Sequence, residues 1–240
     1  MQPRIVALAA LFLAPAPADP EATREATCRR ASVAPVVDGR LDDEAWKSAT
    51  IIDVFPAFWA GTPSNGKTKA RLLWDDQGLY FAGELTDLDV KAFGTKRNDT
   101  LWNGDVFELF FKPASDEKQY YEFQANPRST TFELQLPGDS SPDRPSLGVR
   151  AKAVVHGTLD QSGDVDQGWT VEGMIPWSAF EPSGGKPKAG DVWTFAICRY
   201  DYGPGDAPPV LTSSAPLRRP SFHKTEDYGR LVFEAEKPKP

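Results

Sequence analysis

The chain has 240 residues, 27 basic against 34 acidic side chains and a formal net charge of −7. That acidity, without any cluster of Lys and Arg alternating with aromatics, argues against nucleic acid or an anionic membrane surface as a partner. Fourteen Phe, seven Trp and six Tyr supply a large core with aromatic surface to spare, while 22 Pro and 19 Gly indicate many turns.

In chain order, Met1 to Arg4 is positively charged, Ile5 to Ala14 is apolar, and Ala16-Pro17-Ala18 offers small residues where a signal peptidase cuts. This order predicts a secretory signal peptide over 1–18, with Asp19 opening the mature chain. A buried N-terminal helix is the alternative. The apolar run is too short for a bilayer span, which needs about 20 residues. No Cys follows it until Cys28, which argues against a lipoprotein, and no later stretch is apolar enough to cross a membrane. The expected organisation is an N-terminal extension over 19–34, one domain over 35–235 and a disordered tail over 236–240. The expected location is the periplasm or the outside of the cell, with no membrane anchor.

From there the dominant period is two, the signature of half-buried strands. Runs at 69–74, 78–85, 105–111, 119–124, 131–136, 149–155, 169–175, 192–200 and 228–234 are rich in aromatic and β-branched residues, and most are bounded by turn formers. Asp42 to Ala49 reads as one short helix with an acidic first turn. Pro176 to Phe180 reads as a single turn with Pro at the permitted first position. Leu136 to Pro145 is an exposed loop, Asp19 to Ala26 is unstructured, and there is no internal repeat. All this predicts an all-β sandwich or barrel in one domain.

Two cysteines, Cys28 and Cys198, remain in a compartment that permits oxidation. They either bridge, closing a long loop worth about 5 kcal/mol on the chain-entropy model, or lie apart as buried thiols. Neither has metal or redox-pair spacing.

Five segments, in order, resemble the family 9 carbohydrate-binding modules of bacterial glycan-degrading systems. They are Val37 to Trp46, Leu73 to Phe81, Leu101 to Phe110, Gly168 to Trp177 and Phe222 to Gly229. The resemblance implies a jelly-roll-like β-sandwich of two antiparallel sheets that binds sugars, usually at chain ends. Members often sit beside a glycoside hydrolase, whereas a stand-alone module is the expectation here.

Trp102 lies in a polar, turn-rich loop, where an indole serves either as a binding surface or as a loop anchor. The resemblance makes it one wall of an aromatic clamp, with Phe222 as the opposite wall where better-known members carry Trp. His223 beside it either bonds a hydroxyl or is structural or merely solvated. Glu108 shares a strand face with Val106 and Phe110, so its carboxylate needs a partner: a buried Arg, with Arg199 as candidate, or ligand hydroxyls, as the resemblance implies. Gln124 and Arg219 fall near family contact positions, although the residue types differ.

Catalysis is not expected. Asp105 and Glu108, at i and i+3 on a strand, face opposite sides and do not flank one glycosidic bond, and neither a phosphate loop nor zinc spacing occurs. Acidic turns at Asp75-Asp76, Asp87 with Asp89, and Asp160 to Asp166 are either Asx-type caps or, as in known members, structural calcium sites. The expected function is non-catalytic binding of a sugar or glycan end in extracytoplasmic carbohydrate catabolism. One rival is a partner-binding sandwich that has lost the sugar site. Another is a haem-binding relative drawing on His156, His223, Met174 or the cysteines.

Overall fold

A computed structural model describes residues 25–56, 67–205 and 207–235 of the protein. The expected leader, residues 19–24 and the tail lie outside them. The described residues hold twelve strands: β1 Glu25–Arg30, β2 Ile51–Ile52, β3 Thr68–Trp74, β4 Gly78–Leu85, β5 Val106–Lys112, β6 Tyr120–Ala125, β7 Thr131–Leu136, β8 Arg150–His156, β9 Gly168–Pro176, β10 Val192–Asp201, β11 Val210–Ser213 and β12 Gly229–Glu234. All nine strands expected from the period of two are present, each within about a residue of its expected limits.

The architecture is all-β, but not two separate antiparallel sheets. Hydrogen bonds run along one continuous path, β7-β6-β5-β10-β12-β1-β3-β4-β9-β8, with β11 on β10 and β2 on β3. β1 joins the halves by pairing in parallel with both β12 and β3. Residues 25 and 26 therefore belong to a central strand rather than an unstructured extension, with Ala26 and Cys28 buried. The sheet curls until its ends face one another, so Phe81 on β4 stacks on Phe107 of β5 with centroids 6.3 Å apart. Each such buried ring contributes about 1.5–3 kcal/mol. The shared interior also holds Trp177, Phe180 and Trp193, with Phe180 and Trp193 at 4.9 Å.

The segment read as a helix is a 3-10 turn over Glu44–Ser48. Its bonds run from Trp46 N to Asp43 O and from Ala49 N to Trp46 O, and five residues are too few for an α ladder to build. A second 3-10 stretch, Trp177–Ser183, follows Pro176 as expected. Of the expected loop Leu136 to Pro145, Leu136 ends β7 half-buried and the rest is exposed except Arg144, which is buried against the Phe132 ring.

Cys28 and Cys198 are separate buried thiols. Cys28 packs in the shared interior, whereas Cys198 alternates with Ile197 and so points to the opposite face of β10.

Candidate functional site

The outer face of β7, β6, β5, β10 and β11 carries a cleft of about 490 Å³, within the usual range for small-molecule sites of about 300–1,000 Å³. Period-two geometry decides what it shows. On β5, Phe107, Leu109 and Phe111 face the shared interior, and Val106, Glu108 and Phe110 face outward. Register then aligns one outward row, Phe132–Gln124–Glu108–Cys198, and the next, Leu134–Glu122–Phe110–Ala196. Glu108 and Glu122 are thus diagonal neighbours, in reach of each other across the strands.

Glu108 and Glu122 are 2% and 5% exposed. Glu122 Oε1 accepts a hydrogen bond from Gln124 Nε2 at 2.5 Å. Gln124 Oε1 is buried without a partner. The Glu108 carboxylate has no hydrogen bond or ion pair among the described residues. Burial, reinforced by the charge of Glu122, holds the Glu108 carboxyl well above its ordinary value. Glu122 is pushed up to about 7 by burial, against the opposing pull of the Gln124 hydrogen bond and of Arg144.

Trp102 sits at one rim in a short 3-10 turn over Leu101–Asn103. It is half-buried, edge-on to Phe132 at 5.5 Å, and Tyr202 Oη donates to its carbonyl at 2.8 Å. It is therefore both a loop anchor and part of the lining. Phe222 lines the cleft but is only 5% exposed, packed against Phe110 and Tyr200. His223 presents its ring beside them, with Tyr120 Oη at 3.1 Å from Nδ1, and burial lowers its pKa. Arg219 is exposed and is not in the lining, where Pro220 and Ser221 come instead.

Arg199 does not serve Glu108. It lies across from Phe107, which turns it to the other face, where Nη2 meets Asp87 Oδ2 at 2.9 Å and Asp201 Oδ1 at 3.1 Å. Five of the six residues singled out from sequence meet in the cleft. Glu122, Phe132, Leu134, Leu136, Tyr200 and Leu211 also line it, without having stood out in the sequence. Glu122 was within reach of the period-two argument, since it alternates onto the face of Gln124.

The one group of three metal-competent side chains among the described residues is Asp87, Asp105 and Asp201, with ligand atoms within 4.8 Å. Its chemistry does not fit calcium. The Arg199 guanidinium already supplies the cation, and both Asp105 oxygens accept amide N–H groups, from Lys91 and Tyr202. The acidic turns are similarly committed, with Asp166 accepting from Val90 N and Thr158 N. The residues considered for haem are scattered. Met174 packs with Trp46 and Tyr80, His156 ends β8, and only His223 reaches the cleft.

A family model described as carbohydrate family 9 binding domain-like matches residues 37–236. Endo-1,4-beta-xylanase A of Thermotoga neapolitana is 26% identical over 149 residues, which are 62% of this chain and 13% of that protein. The enzyme of the same name from Thermoanaerobacterium saccharolyticum is 28% identical over 152 residues, 63% of this chain and 12% of that protein. Among solved structures, a protein of Bacteroides uniformis superposes with a TM-score of 0.69 at 17% identity, covering 88% of this chain and all of that one. A family 9 carbohydrate binding module of Caldicellulosiruptor kristjanssonii, solved with cellotriose, gives 0.63 at 19% identity, covering 89% of this chain and 95% of that one.

Proposed function

Because the chain belongs to the carbohydrate family 9 binding domain-like family, we propose that it binds a sugar ring or glycan end, without cleaving it, in the cleft over β5, β6 and β7. The observation that carries this reading is the pairing of an aromatic rim with a buried polar floor. Trp102 and Phe132 offer rings to the C–H face of a pyranose, and Glu108, Glu122 and Gln124 offer acceptors to its hydroxyls. The Caldicellulosiruptor module, solved with cellotriose and with glucose, shares the fold and makes neutral sugars the natural first probes. The chain spans only 13% and 12% of the two xylanases, so it corresponds to an accessory part of them rather than to whole enzymes.

Membership in a family of carbohydrate-binding domains supports binding rather than hydrolysis. No helix among the described residues is long and apolar enough to cross a membrane. With the charged, apolar and small-residue order of residues 1–18, this supports an exported module acting on sugars outside the cytoplasm.

Calorimetric titration with glucose, xylose, cellotriose and xylotriose tests the reading. A shallow site of this kind should bind at roughly micromolar to millimolar Kd, and Trp102→Ala should weaken binding about thirtyfold or more. An affinity unchanged by Trp102→Ala would move the site elsewhere. A chain that binds none of these or any amino sugar would instead be a partner-docking sandwich.

A further inference from the structure

We infer that the cleft is built for a sugar bearing a protonated amine, with the ammonium seated among Glu108, Glu122 and the side-chain oxygen of Gln124. The inference rests on the sugar-binding reading of the same cleft and narrows its ligand class.

Once the carboxyl pair gives up its proton, the floor is dominated by acceptors. Glu108 is 2% exposed and its carboxylate has no partner among the described residues. Gln124 commits Nε2 to Glu122, which leaves its buried Oε1 unmatched. A neutral hydroxyl both donates and accepts, whereas an ammonium brings three donors and no acceptor. It therefore satisfies such a floor without adding a lone pair to it.

Charge points the same way. The cation felt by Glu122 is Arg144, but that guanidinium is committed to Glu133 O, Ser141 O and Asn98 Oδ1, over the Phe132 ring. The other titratable groups around the pair bring no positive charge. Tyr120 on β6, Cys198 and Tyr200 on β10, and Tyr228 ahead of β12 are acids held protonated by burial. Burial lowers the His223 pKa, which disfavours a positive charge there as well. A buried carboxylate without a counter-charge is costly, and a cation arriving with the ligand removes that cost. A bare calcium ion suits the site less well. It takes about 6–8 oxygens, while the floor offers two carboxylates and one amide oxygen under walls of Phe132, Leu134 and Phe222. Those walls suit a carbon ring.

Seating an ammonium draws the proton off the carboxyl pair, so amine binding should release protons to the buffer and neutral-sugar binding should not. The experiment is calorimetry with glucosamine, glucose and N-acetylglucosamine near pH 7, in two buffers of different ionisation heat and with chelator present. Glucosamine is expected to bind about tenfold or more tightly than the other two, the gain of one buried charge-assisted contact, and it alone should release protons. Glu108→Gln should erase the preference, and Glu122→Gln should reduce it, with thermal melts confirming folded variants. Should Glu108→Gln fail to fold, proton release by the wild type and Glu122→Gln decide. Equal affinity for glucosamine and glucose would overturn the amine inference and leave the sugar-binding reading standing. Silence with all three sugars and with cellotriose would overturn both. If calcium chloride without chelator releases the proton and blocks glucosamine, the cation is a metal and the inference is wrong.

Discussion

Trp46 and Glu172 lie 126 residues apart, and the indole Nε1–H of the first donates to the carboxylate of the second at 2.6 Å. The other oxygen of Glu172 accepts Gly39 N at 2.9 Å and Asp38 N at 3.2 Å. Two of the sequence segments that carry the family resemblance therefore meet at one buried carboxylate, far from the cleft. Their job is architectural. Glu172→Ala would strand an indole N–H and two amides, at a cost of about 3–5 kcal/mol. Trp46→Phe, which removes one donor, should cost about 1–3 kcal/mol. Denaturant unfolding measures both, and a Glu172→Ala midpoint equal to wild type would refute the role.

Trp102→Ala should weaken sugar binding by about 2 kcal/mol or more, as for a central aromatic anchor. Because Trp102 also packs on Phe132, a melting point lowered by a few degrees is expected alongside. Phe222→Trp should not tighten binding. Phe222 is boxed in by Phe110 and Tyr200, and a larger ring there overpacks by about 1–3 kcal/mol. Calorimetry and melts on the two variants separate the roles, and a Phe222→Trp protein that binds more tightly at full stability would contradict the packing argument.

The buried carboxyls make stability depend on pH with a definite sign. Folded Glu122 keeps its proton up to about 7, whereas its ordinary value is 4.5. The folded state therefore holds protons that the unfolded state has released, and stability falls as pH rises through that window. Asp201, raised to about 6, and Asp105, raised to about 8, act in the same direction. Glu122→Gln should flatten part of the decline between about pH 5 and 7. Melting curves across that range check it, and an unchanged slope in the variant would count against the assignment.

The two thiols should be inert in the folded protein and reactive in the unfolded one. Burial raises both cysteine pKa values, which suppresses the thiolate. Alkylation without reductant should label neither Cys28 nor Cys198 in native conditions and both in denaturant. A denatured chain that takes no label until reductant is added would show a bridge instead.

If residues 1–18 act as a leader, protein recovered from the export compartment should begin at Asp19. Intact mass decides, and an exported chain still starting at Met1 would end that reading.

The strands were legible because period two survives without knowledge of neighbours. Nine runs alternate strongly enough to be read alone, and that alternation also placed Glu108 and Asp105 on opposite faces. The short strands were not legible. β2 has two residues and β11 four, and β1 carries Arg29 and Arg30 where a core strand would show apolar residues. Its strand conformation comes from β12 and β3 on either side. The aromatic count, the acidic balance and the order of the family segments are properties of the chain alone, and they bounded the function. Which side chains meet is a property of register. Glu122 becomes the neighbour of Glu108 because Phe110 lies across from it in the β5–β6 ladder. Arg199 is turned away by the same one-residue alternation that sets Cys198 beside Glu108. A sequence fixes the face of each residue along its own strand, but only pairing between strands, summed over the whole sheet, decides which carboxylates share a floor and which find a cation.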